Sequence, residues 1–84
     1  MDCLAVFNSG NYAMHVSRLL QMKGYVFDVV STPCKIATGG CGYSIKFPCE
    51  YKDLIISEAK KNNIPIGEIY KVIPMFMKNK YEKQ

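Results

Sequence analysis

The sequence predicts an α+β fold: a ferredoxin-like split βαβ sandwich (βαββαβ), with a four-stranded antiparallel sheet and two helices on one face. Three observations predict it. Short apolar or alternating runs read as strands at 3–7, 25–30, 43–47 and 69–73, and amphipathic runs read as helices at 12–23 and 51–62. The order strand, helix, strand, strand, helix, strand has the split sandwich as its compact solution. With 84 residues there is room for one modest core, expected over 1–77, with a polar, frayed tail at 78–84.

Each element has its own signals. Cys3-Leu4-Ala5-Val6-Phe7 is a continuous apolar run, as in a buried central strand, and it breaks at the turn cluster Asn8-Ser9-Gly10-Asn11. Tyr12, Ala13, Val16, Leu19 and Leu20 recur at helical spacing, Lys23 suits the negative end of the helix dipole, and Gly24 is a natural C′ residue. Residues 25–30 are β-branched and aromatic apart from Asp28. Tyr43, Ile45 and Phe47 alternate with Ser44 and Lys46, so the first three should face inward, and Pro48 should end that strand. The second helix carries Tyr51, Leu54, Ile55 and Ala59 as its buried stripe, and Asn62-Asn63-Ile64-Pro65 stops it. Residues 69–73 form the last strand, halted by Pro74; Met75, Phe76 and Met77 would then cover the sheet or make a dimer contact.

Right-handed crossovers fix where the connections lie. The long segment between the second and third strands should sit beside the start of the first helix, near Asn8 to Asn11, together with the Asn62 to Pro65 turn. Cys3 and Cys49 should fall at the opposite end, where they read as small hydrophobes at strand ends.

Composition narrows the function classes. Charged residues are 21% and apolar ones 49%, an ordinary globular balance. The net charge of +4 comes from scattered lysines and the single Arg18, without the arginine and aromatic clustering of nucleic-acid readers. No apolar run spans a bilayer and no export signal opens the chain, so neither a nucleic-acid nor a membrane partner is expected, and a cytoplasmic location with reduced thiols is.

The segment from Ser31 to Tyr43 holds Cys34, Cys41 and three of the six glycines, far more than a turn needs. Gly39, Gly40 and Gly42 free the backbone around Cys41, and consecutive N–H groups there can converge on an anion such as a thiolate or persulfide. A helix N-terminus and Lys35 would both favour the ionised thiol. Cys41 is therefore the candidate nucleophile or carrier, with Cys34 either a resolving partner or a plain loop residue. The spacings C-x6-C and C-x7-C lack the tight CxxC hooks of zinc or iron–sulfur sites, so no metal and no cofactor are expected. His15, the lone histidine, falls on the polar face of its helix, and the carboxylates form no acid–base cluster.

The segments Thr32-Pro33, Ile36-Ala37-Thr38-Gly39-Gly40, Cys41-Gly42 and Ser44-Ile45-Lys46-Phe47-Pro48 together resemble the small sulfur/selenium carrier-like family. The resemblance covers nearly the whole chain and is most specific over the loop. It implies that Cys41 carries sulfur or selenium as a persulfide-type adduct, received from a donor enzyme of the cysteine desulfurase type and passed to an acceptor protein. Cys34-Lys35 stand where an arginine often follows the proline in that family. The implied protein is a carrier more than a stand-alone enzyme. A thiol-redox pair of Cys34 with Cys41, or a non-catalytic interaction domain that pairs as a homodimer through its sheet, are the alternatives.

Overall fold

The computed structural model describes residues 1–33, 36 and 42–84. In chain order the elements are β1 (Asp2–Phe7), α1 (Gly10–Met22), β2 (Asp28–Ser31), β3 (Tyr43–Pro48), a 3₁₀ turn (Cys49–Tyr51), α2 (Lys52–Lys61), β4 (Ile69–Met75) and β5 (Lys78–Lys83). The strands form one antiparallel sheet in the order β2-β3-β1-β4-β5.

The α+β class and the two helices stand, but the expected four-stranded sheet is corrected to five strands. Residues 78–83 are not a frayed tail: they pair with β4 from Tyr70↔Lys83 to Met75↔Lys78. Pro74 does not stop β4 either. The β1–β4 pairing ends at Asp2↔Val72, so Pro74 lies where β4 has β5 as its one neighbour and a missing N–H can face the vacant side.

One face of the sheet carries the core. Strand alternation puts Cys3, Ala5 and Phe7 of β1 beside Ile45 and Phe47 of β3, in register Cys3↔Phe47 and Ala5↔Ile45. Against them pack Ala13, Val16 and Leu20 of α1 and Ile55 and Ala59 of α2, with Ile64 and Ile69 closing the cluster. Fully burying a side chain such as Leu20 or Ile55 contributes about 1.5–3 kcal/mol. Tyr25 and Phe27 do not join the sheet as expected. They stack with each other at 6.2 Å and meet Tyr51 at 5.6 and 5.5 Å, so the aromatic group claims them and β2 starts only at Asp28. Tyr12 and Tyr43, both expected inside, are exposed.

The helix ends follow the sequence signals. Ser9 is the N-cap of α1, accepting from the Tyr12 N–H at 3.4 Å. At the other end Gly24 has φ +94, the Tyr25 N–H donates to Leu20 O at 2.9 Å and the Gly24 N–H to Gln21 O at 3.0 Å: a Schellman motif. α2 closes the same way with Asn63 at φ 56, and the buried Ile64 donates to Ala59 O at 2.8 Å. Glu58 is buried on α2, where its carboxylate pairs with the Lys23 ammonium and ties the ends of the two helices together. None of the helices among the described residues is long and apolar enough to cross a membrane.

Cys3 and Cys49 are not separate hydrophobes but a disulfide, with Cα atoms 5.0 Å apart. The register sets Cys3 opposite Phe47, and past Pro48 the chain folds back so that the Cys49 N–H donates to Met1 O at 3.0 Å. Two sulfurs 46 residues apart in sequence thereby meet at the end of the sheet far from the Phe7 rim.

Candidate functional site

At the Phe7 rim five chain segments converge. β1 ends at Phe7, opposite Tyr43 at the start of β3, which in turn faces Ser31 at the end of β2. α1 starts three residues after Phe7, and the Tyr43 ring lies so close over Gly10 that a Cβ there would stand 2.9 Å from ring carbon Cδ2. The connection after α2 returns to the same end, where the Gly67 N–H donates to Val6 O at 2.8 Å and the Val6 N–H to Glu68 O at 2.9 Å.

The cysteine segment is rooted here at both of its ends. The Thr32 N–H donates to Gly42 O at 3.0 Å, which closes the base. A side chain on Gly42 would place its Cβ 2.7 Å from Phe7 O, a contact between two backbones that leaves room for hydrogen alone. Beneath the base the hydroxyls of Thr32 and Ser44 hydrogen-bond at 2.7 Å. Ser44 was expected to face out by strand alternation, yet it is fully buried, because Thr32 covers it and satisfies its hydroxyl.

Of the residues singled out by the sequence, Gly42 sits in this rim, hydrogen-bonded and close-packed. Cys34, Lys35, Gly39, Gly40 and Cys41 lie outside the described residues. Ile36 is described: its N–H donates to Pro33 O at 3.1 Å. It lines an open cavity of about 330 Å³ with Met75, Lys78, Asn79, Lys80 and Tyr81 of the β4–β5 hairpin. That hairpin wall went unread in the sequence, where the lysine-rich 78–83 carries no apolar run. His15 is exposed on α1, and among the described residues no three His, Cys, Asp or Glu side chains gather as a metal site.

The chemistry this rim allows follows from its parts. The rim at Gly42 and Tyr43 adjoins the first turn of α1, whose amide groups carry partial positive charge toward any anion placed there. Glycine at the root brings the backbone itself, rather than a bulky side chain, close to that place.

Fold and rim together define a small α+β domain that bears cysteine on a segment rooted at one end of an antiparallel sheet. The chain belongs to the family described as "Putative Se/S carrier protein-like", whose family model matches residues 2–71. No curated protein and no solved structure matches the chain. The matched range runs from β1 into β4 and takes in the whole cysteine segment, while the hairpin tip and β5 follow after it.

Proposed function

We propose that the protein is a sulfur or selenium carrier that holds the chalcogen on Cys41, in a ferredoxin-like sandwich extended at its edge by β5. The observation that carries this reading is membership of the family over residues 2–71. The geometry supports it through Gly42, the residue after Cys41, which packs against the Phe7 main chain beside the start of α1. In the proposed step the Cys41 thiolate attacks the outer sulfur of a donor persulfide. A new S–S bond forms at Cys41, the bond in the donor breaks, and the donor leaves as its thiolate. The proton stays on the transferred sulfur, so no external oxidant or reductant is consumed. Selenium would move by the same exchange. Gly39, Gly40 and Lys35 are proposed to hold the anionic adduct through main-chain N–H groups and one ammonium.

The test is incubation with a cysteine desulfurase and cysteine, followed by intact-mass analysis. A gain of one sulfur, absent in Cys41→Ser and retained in Cys34→Ser, is the expected result. No gain with several desulfurases overturns the carrier reading for sulfur. A loss of two hydrogens instead, requiring both Cys34 and Cys41, would assign the pair to thiol-redox exchange.

A further inference from the structure

We propose that the tip of the β4–β5 hairpin is a wedge that docks the protein on an anionic lipid surface. Met75, Phe76 and Met77 are 52%, 92% and 89% exposed, three consecutive large apolar side chains standing in solvent. They were expected to cover the sheet or make a dimer contact; among the described residues Met75 lines the cavity with Ile36, while Phe76 and Met77 stand clear of the sheet. Met75 pairs with Lys78, so Phe76 and Met77 are the two turn residues themselves. Met77 has φ 68, a left-handed conformation that glycine or asparagine adopts far more readily. The turn thus keeps a large apolar side chain where a small polar residue would stabilise the fold better, which points to a use outside folding.

Projection and charge say what the tip meets. Pairing with β1 stops at Val72, so from Ile73 onward the hairpin extends as a two-stranded ribbon beyond the rest of the sheet. From Ile69 to Tyr81 it carries Lys71, Lys78 and Lys80 and no carboxylate. Lys78 and Lys80 flank the cavity behind the apolar turn. An apolar point with an ammonium collar matches a bilayer whose acyl layer lies beneath anionic phosphates: the lysine stems run along the apolar part while their ends stay at the headgroups. Successive side chains around a turn also diverge. One protein pocket accepts one or two of them, whereas a fluid acyl layer wets all three. Composition alone led to the opposite expectation, since lysines scattered in sequence look merely solvated. The turn at Phe76 and Met77 sets Lys78 and Lys80, alternate residues of β5, directly behind the tip. The wedge lies beyond the family-matched residues 2–71, so it stands independently of the carrier reading.

The chain contains no tryptophan, so Phe76→Trp places a single indole at the tip. With the full-length protein, vesicles of phosphatidylcholine mixed with phosphatidylserine should shift its emission to the blue, and brominated acyl chains should quench it. Phosphatidylcholine alone should do neither. In co-sedimentation, Phe76→Ser with Met77→Asn should lower binding by on the order of tenfold. Lys78→Gln with Lys80→Gln should lower it about 25-fold, roughly fivefold for each lysine near a charged surface. An unshifted indole on anionic vesicles overturns the proposal, as does vesicle binding that survives both pairs of substitutions. Tip-dependent self-association or protein binding without lipid binding also overturns it, and would assign the wedge to a protein contact.

Discussion

Reducing the Cys3–Cys49 bond should remove a large share of the stability of this chain. The two cysteines are separated by 46 residues. Closing a loop of that length in the unfolded chain corresponds to about 4 kcal/mol in the chain-entropy description, of which about 2–4 kcal/mol is commonly realised. A domain of 84 residues holds about 4–13 kcal/mol in total, so the bond accounts for about a sixth of it or more. Packing should change little on reduction, because Cys3 is 1% exposed and its thiol remains a buried small hydrophobe in the same place. At about 4–8 °C per kcal/mol for a domain this small, Tm should fall by at least about 8 °C. The assay is thermal unfolding followed by far-ultraviolet circular dichroism, oxidised and reduced, in a Cys34→Ser/Cys41→Ser background that leaves this one pair. Alkylation and mass analysis verify complete reduction. A fully reduced protein melting within about 2 °C of the oxidised one refutes the reasoning, because that shift is worth under about 0.5 kcal/mol.

Two further outcomes test the rim. Gly42→Ala should destabilise the fold by about 1–3 kcal/mol, since the added Cβ would stand 2.7 Å from Phe7 O and one backbone must move; an unchanged denaturation midpoint would show that the rim yields freely. Thr32→Val and Ser44→Ala should each cost about 1–3 kcal/mol by leaving the other hydroxyl buried without a partner. The double variant should then cost less than their sum by at least about 0.5 kcal/mol, and additivity in the cycle would remove the bond from the account.

The elements that were legible in the sequence are those whose local pattern and tertiary role agree. The stripe Ala13, Val16 and Leu20 ended by Gly24, and the pair Ile55 and Ala59 ended by Asn63, behave as their spacing and caps require. What was missed depends on partners distant in the chain. Residues 78–83 form a strand because β4 offers Tyr70 to Met75 as a template, and the turn before them lacks the Asn-Gly signal of a hairpin. Glu58 is buried because Lys23, 35 residues away, comes to rest beside it. Cys3 and Cys49 meet through a register that no local pattern encodes. For the candidate site, right-handed crossovers placed the two roots of the loop at the correct end, since Thr32 and Gly42 do meet at Phe7 next to α1. The buried Thr32–Ser44 pair escaped it, because alternation assigns a face and says nothing of what covers that face.

The β4–β5 ribbon outruns its neighbour at Val72. The turn at Phe76 and Met77 hangs off the domain like a label on a string, outside the cluster that fills the interior. Mutations there can accumulate, lengthen or swap the turn at little risk to folding, while the Phe7 end, hemmed in by main chain, tolerates almost none. The two ends of this sheet consequently stand under unequal constraint.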